Sequence, residues 1–460
     1  MNRLSLTLSR AIARVTESPL GRYQSAVIRI GFAGTWLLFL LREFPHRQEL
    51  YGPDGPWSWD LARRLTSDNH AFTALMWSGG QLWFEVFYLL AILSSAALML
   101  GWRTRTASLL FMVGVLSLQN RSVFVGDGGD NVLHLMSIYL VFTRCGGVWS
   151  LDARRAALRE AARERGERVP GDRVGPALWV VLGLVLGGVT LAGRFDGGLV
   201  PVLLWTAWAG LGLWGAVQRL ERAREPRILL DVIANVLHNG ALCVIMAEAC
   251  LIYATAGWYK IQGSRWQDGT AVYYPLHLDY FSPWPGLADL MSSSGTIMMI
   301  VAYGTVMVQV AFPFTLFNRR VKNVLLVLMM TEHAVIAVVL GLPFFSLAMI
   351  TADAVFLPTS FLLLLGGLVA RARGRLTGRG DGHGDGRGGG ARADDPGHEG
   401  DSGHEGGPGH EGGPGHEGGP GRDGESDGGG ESDGGGDGDG TLPAPRSPEE
   451  GTRGHVGFTA

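Results

Sequence analysis

The residues I-Y-A-T-A-G-W-Y-K-I-Q-G-S-R-W-Q-D-G-T-A, Ile252–Ala271, decide how the chain folds. They begin as the last turns of an apolar helix. They leave it through Tyr253, Trp258 and Tyr259, an aromatic collar of the kind found where a helix exits a bilayer. One cation, Lys260, stands at that edge, with Gly263, Trp266, Asp268 and Gly269 following. Of the 39 basic residues only Lys260 and Lys322 are lysines. Arginine keeps its proton, whereas a desolvated lysine amine can release one. A lysine at this place points to a need for an amine.

On both sides of this stretch, apolar runs of membrane-spanning length alternate with short polar loops over residues 23–370. The pattern predicts an all-α, polytopic membrane helix bundle. Ten spans can be marked: 23–41, 81–100, 105–120, 131–145, 177–193, 199–218, 236–258, 294–317, 322–341 and 344–367. A net charge of −3 gives no reason to expect a nucleic-acid partner. Cys145, Cys243 and Cys250 lie in apolar runs and read as reduced packing residues.

Loop charges set the expected orientation. Arginines cluster at the N-terminus, at Arg103 and Arg105, over 144–173 and 219–227, at Arg319 and Arg320 beside Lys322, and over 371–379. With ten spans all of these fall on one side, so both termini are expected in the cytoplasm and Lys260 outside. The expected location is the cell membrane, with many passes.

Residues 1–22 carry a basic amphipathic helix. Arg3, Thr7, Arg10 and Arg14 lie on one face and Leu4, Leu8, Ile12 and Val15 on the other, as in a helix resting on a membrane surface. The outer loop 42–80 holds P-D-G-P turn chemistry, then Trp57 and Trp59. The outer loop 259–293 is dense in Trp, Tyr and Phe and is expected to cap the bundle. Residues 374–460 turn to Gly, Asp, Glu, Ser and Pro and cannot bury a core. There His398, His404, His410 and His416 recur six apart. Nothing fixes ligand geometry, so the tail reads as flexible and no metal is assigned.

Ionisable groups inside an apolar bundle need a partner or a task. Arg29, Glu248 and Asp353 read first as structural. Glu85 opens the second span, and Asn120, Asp127, Asp130, Asn131 and His134 gather at the turn between spans three and four. Glu332 and His333 lie mid-span in the ninth run. Being adjacent on a helix, they face different ways. A bundle with an outer opening and a polar floor would hold this set.

The Y-x-x-A-G-x-x-K-I element (Tyr253, Ala256, Gly257, Lys260, Ile261) and its W-x-D-G-T-A sequel (Trp266, Asp268–Ala271) resemble the horizontally transferred transmembrane domain family. That family includes the membrane part of vitamin K-dependent gamma-glutamyl carboxylase. R-I-G at Arg29–Gly31, W-S-L-D at Trp149–Asp152 and F-F-S-x-A-M-I at Phe344–Ile350 extend the resemblance over about residues 20–365, with 177–218 as an extra helical pair. The resemblance implies that Lys260 is a weak base toward a reduced quinone, such as vitamin K or menaquinone. The family histidine falls near Gly129–Asn131, where this chain has none; Asp130 or His134 would stand in. No counterpart of the propeptide-binding domain is seen, so glutamate carboxylation is not expected.

Three functions follow as expectations. The first is a membrane enzyme with Lys260, His333, Glu332 and Asp130 as catalytic candidates and Trp266, Asp268, Glu85, His134 and Trp57 as substrate-binding ones. Its substrate would be a lipid quinol reaching the site from the bilayer. The second is a non-catalytic factor that binds or matures a secreted peptide through the outer loops. The third is a proton-linked transporter, disfavoured by the lack of a repeated, interrupted helix pair.

Overall fold

A computed structural model describes residues 3–168, 171–195, 198–220 and 224–376 of the chain. The tail with its histidine repeats lies outside the described residues. Among the described residues every regular element is helical.

The chain opens with α1 (Arg3–Glu17) and α2 (Arg22–Arg42). The loop that follows carries α3 (Arg47–Tyr51) and α4 (Trp59–Asp68). Next come α5 (Gln81–Leu100), α6 (Thr104–Arg121), α7 (Gly128–Val141) and α8 (Leu151–Glu164). A hairpin of α9 (Val174–Leu191) and α10 (Leu199–Arg219) precedes α11 (Arg224–Gln262), whose 39 residues make it the longest helix described. The short α12 (Ser264–Gln267), α13 (Tyr273–Leu276) and α14 (Pro285–Ser292) fill the aromatic loop. Then α15 (Gly295–Ala311), α16 (Arg319–Val339), α17 (Pro343–Asp353) and α18 (Thr359–Leu376) complete the bundle.

Seven helices are long and apolar enough to cross a membrane: α2, α5, α9, α10, α11, α15 with its 3-10 extension, and α16. The bent pair α17–α18 makes an eighth if it counts as one span. This is the architecture of a helical membrane protein. Two of the ten expected spans fall on α6 and α7. The 14 residues of α7 reach about 21 Å, short of a hydrocarbon core of about 30 Å.

The tenth run also departs from the expected straight span, bending by 118° between α17 and α18. Pro358 explains the break. A residue before proline is driven out of helical geometry, and Leu357 adopts φ −63° and ψ 138°. The freed carbonyls find side-chain donors: Lys322 Nζ bonds Phe356 O, and Gln24 Nε2 bonds Leu357 O at 2.9 Å. The second lysine of the chain therefore serves a helix end.

α2 is the axis of the core. It packs on α5 and α17, and Trp36, Phe32, Ile28 and Leu40 are all but completely buried. Arg29 lies fully buried among them. Its Nη1 donates to Leu98 O at 2.6 Å and Met99 O at 2.7 Å, its Nε to Cys145 O at 3.1 Å, and its Nη2 to Trp149 O at 2.8 Å. One guanidinium thus ties the end of α5 to the loop before α8. The W-S-L-D element runs from that loop into the first turn of α8. Ser150 caps α8, while the Asp152 carboxylate accepts from Arg103 N and Thr104 N and so caps α6. The motif is a corner that joins three helices.

The α9–α10 hairpin stands off the bundle. Only 6% of each apolar stretch is buried, which leaves its apolar surface for lipid. Its two helices interlock. Trp179 and Trp208 stack at 4.2 Å, and each indole N–H donates to the other's carbonyl at 2.9 Å. Each ring also lies over a glycine four residues beyond its partner tryptophan: Trp208 covers Gly183 and Trp179 covers Gly212. The same W-x-x-x-G spacing on two helices makes the contact reciprocal. All three cysteines are free, Cys145 buried as expected, Cys243 exposed on the outside of α11.

Candidate functional site

α11 carries Tyr253 and Lys260 seven residues apart, two turns along one face. Gly257 lies between them. A Cβ there would come within 2.6 Å of Val310 on α15, so the glycine lets α15 approach closely. Through this approach Lys260 reaches Gln309. Its Nζ donates to Gln309 Oε1 at 2.8 Å, and Gln309 Nε2 donates to Glu332 Oε1 of α16 at 2.8 Å. Trp266 covers the amine, with Nζ 5.2 Å from its ring centroid.

Tyr253 holds a second chain of side chains. Its hydroxyl donates to Asp353 Oδ2 of α17 at 3.0 Å and lies 3.1 Å from His333 Nε2 of α16. Tyr253, His333 and Asp353 are 1%, 3% and 0% exposed, so this chain is sealed from water. Glu332 and His333 point to different helices, as adjacent positions on a helix must.

Three predicted residues, Lys260, Glu332 and His333, therefore meet in one polar core shared by α11, α15, α16 and α17, with Trp266 over it. Sequence reasoning placed Lys260 at the rim and Glu332 at the midplane as separate groups; one glutamine connects them. It read Asp353 as structural, and it passed over Gln309 and the Tyr253 hydroxyl altogether. An amide alone in the apolar run of α15 was the available signal.

Asp130 and His134 lie elsewhere. They border a cavity of about 670 Å3 between α3, the end of α6 and the start of α7, lined also by Tyr51, Gln119, Asn120 and Asn131. Lys260, Glu332 and His333 take no part in that lining. The Asp130 carboxylate accepts from Asp127 N at 2.8 Å, and Asp127 accepts from Gly129 N at 2.7 Å, which together cap α7. His134 Nδ1 meets Gln119 Oε1 at 3.0 Å.

The remaining candidates have local partners. Glu85 receives Arg47 in bidentate fashion at 3.0 and 3.1 Å, and Gln48 as well. Trp57 packs edge-on against Phe124 at 4.9 Å, its carbonyl held by Arg121. Asp268 accepts the Thr270 hydroxyl and backbone N–H, which hold its carboxyl below the ordinary range, with Arg265 adding to the effect. The expected single opening that would gather all of these is replaced by separate clusters. Among the described residues no group of three or more His, Cys, Asp or Glu is placed to hold a metal ion.

No family model, no curated protein and no solved structure matches the chain, so the reading of this core rests on its own geometry.

Proposed function

We propose that this is a multi-pass protein of the cell membrane, with cytoplasmic termini, that performs acid–base chemistry on a lipid-soluble quinol. Lys260 is the base. The observation that carries this reading is the environment of its amine. Among the described residues Lys260 forms no ion pair; it meets a neutral amide, Gln309, and the face of Trp266. A carboxylate in direct contact would hold the amine as ammonium, whereas an amide acceptor tolerates the free base.

In the proposed step a quinol O–H gives its proton to the Lys260 lone pair, leaving a quinol oxyanion and an ammonium. Glu332, one amide away, stabilises that ammonium without holding the amine protonated beforehand. Trp266 supplies an apolar face on which a quinol ring can rest. The resemblance of the A-G-x-x-K and W-x-D-G elements to the horizontally transferred transmembrane domain family supports the same role.

The test is reconstitution of the full chain in aerated lipid vesicles with reduced menaquinone or reduced vitamin K, where dissolved dioxygen oxidises the quinol oxyanion to the quinone and is itself reduced to hydrogen peroxide, with the quinone followed by mass spectrometry. Wild type is expected to consume the quinol and Lys260→Arg to be at least about 100-fold slower. Equal rates and products for the two proteins overturn the assignment.

A further inference from the structure

His333, Tyr253 and Asp353 form a chain whose ends are both open. Because the Tyr253 hydroxyl donates to Asp353 Oδ2, its oxygen is left as an acceptor, and His333 Nε2 must carry the proton that meets it. The other ring nitrogen, Nδ1, is buried and has no hydrogen-bond partner among the described residues. At the far end Asp353 Oδ1 is likewise buried without a partner among the described residues. A network that served only to hold three helices together gains nothing from bare ends, because a buried polar atom without a partner is costly. Here the two unsatisfied atoms are those at which a proton would enter and leave.

We propose that Tyr253 is a proton relay between His333 and Asp353, forming a buried wire from α16 through α11 to α17. A proton arriving at His333 Nδ1 lets the Nε2 proton pass to the Tyr253 oxygen, while the phenolic proton moves to Asp353 Oδ2. One proton has then crossed, Tyr253 is again a neutral phenol, and the imidazole is neutral with its proton on Nδ1. Turning of the Asp353 carboxyl brings the new proton to the Oδ1 side, where it leaves; return of the ring and hydroxyl to their first arrangement then resets the wire. No electron moves and no other reactant is needed.

The groups around the wire give it a direction. His333 meets Tyr253 and feels the charge of Lys260, with Glu332 before it in sequence. Asp353 meets Tyr253 and feels the charge of Glu332, and its own charge reaches Cys250. The histidine end is therefore the one that senses Lys260, the amine that gains a proton in the proposed step. This inference rests on that step only for its purpose; the wire itself is defined by the two hydrogen bonds.

The test does not use turnover. The full chain, labelled with 15N-histidine and held in lipid nanodiscs, is titrated while the His333 ring nitrogens are followed by NMR, with His333→Gln used to assign the signal. Asp353→Asn is expected to change the proton affinity of His333 by about tenfold in the wild-type background and by less than about twofold in the Tyr253→Phe background. Equal changes in the two backgrounds overturn the relay. Should Tyr253→Phe fail to fold, a fluorotyrosine at position 253 keeps the shape and acidifies the phenol. The His333 titration is then expected to move, and an unmoved titration overturns the proposal. Coupling that persists in a protein without quinol turnover leaves the relay standing and removes only the base assignment.

Discussion

Lys260 and Glu332 are held apart by a single side chain, with Gln309 accepting from one at 2.8 Å and donating to the other at 2.8 Å. The amide is 5% exposed, so neither of its ends can turn to water. This arrangement makes the two charges depend on each other through a neutral bridge. The combined Lys260→Met, Glu332→Leu protein is expected to lose less stability than the two single changes added together, by about 1–2 kcal/mol. In the Gln309→Leu background that coupling is expected to vanish. Denaturant unfolding in detergent measures both, and strictly additive changes would show that the bridge carries no energy.

The α9–α10 hairpin offers a test that leaves the polar core alone. Gly183 and Gly212 are the floors on which Trp208 and Trp179 rest. A leucine at either position forces the rings apart, at a local cost of about 1–3 kcal/mol. The near-ultraviolet circular dichroism of the stacked indoles is expected to fall in Gly183→Leu and in Gly212→Leu. The unfolding midpoint of the bundle is expected to hold, because the hairpin buries so little against it. An unchanged spectrum in both variants would contradict the interlock.

At the arginine-rich end, Arg103 grips Asp172 with two hydrogen bonds, at 2.9 and 2.5 Å, just before α9 begins. That grip, the largest cause, holds the Asp172 carboxyl at about 2, against an ordinary value of 3.8. An acid whose folded value is depressed contributes stability above its unfolded value and loses it as pH falls through the folded one. The tether is therefore expected to be complete above pH 4 and to weaken progressively toward pH 2. Both side chains are partly exposed, so the contribution is about 1 kcal/mol or less. Amide protection over the first turn of α9, taken relative to the intrinsic exchange rate at each pH, is expected to fall as the pH drops, and to be lowered at neutral pH in Asp172→Asn. Protection that ignores both changes would show that the pair does not anchor the hairpin.

Much of this architecture can be read in the amino-acid order, for physical reasons that differ by element. Apolar runs with arginine between them announce helices such as α2, α11 and α16, because burial in lipid requires continuous hydrogen-bonded backbone. Lys260, Glu332 and His333 announce themselves by their cost in such surroundings. Gln309 and the Tyr253 hydroxyl do not, since amides and phenols are cheap enough to pass unnoticed among apolar neighbours. Whether Asp130 caps a helix or serves a substrate depends on the turn Asp127–Asp130, and charge alone does not distinguish the two. The bend of the last run was signalled by Pro358, but composition alone reads through it. That the acids and the lysine share one centre, while Glu85 and His134 do not, depends on helix rotation, which hydropathy leaves open.

Arg29 has one more consequence, and it concerns synthesis. Its four carbonyl acceptors lie 69, 70, 116 and 120 residues further along the chain. When α2 first leaves the ribosome, none of them exists. The helix thus carries a bare charge into the membrane and is fully satisfied only once Trp149 has been made. Release of α2 into lipid before that point would strand the guanidinium in hydrocarbon. The first helices are therefore expected to be held beside the insertion machinery until α5 through α7 and the loop before α8 have followed, so that a single arginine sets the smallest unit in which the front half of the protein can be assembled.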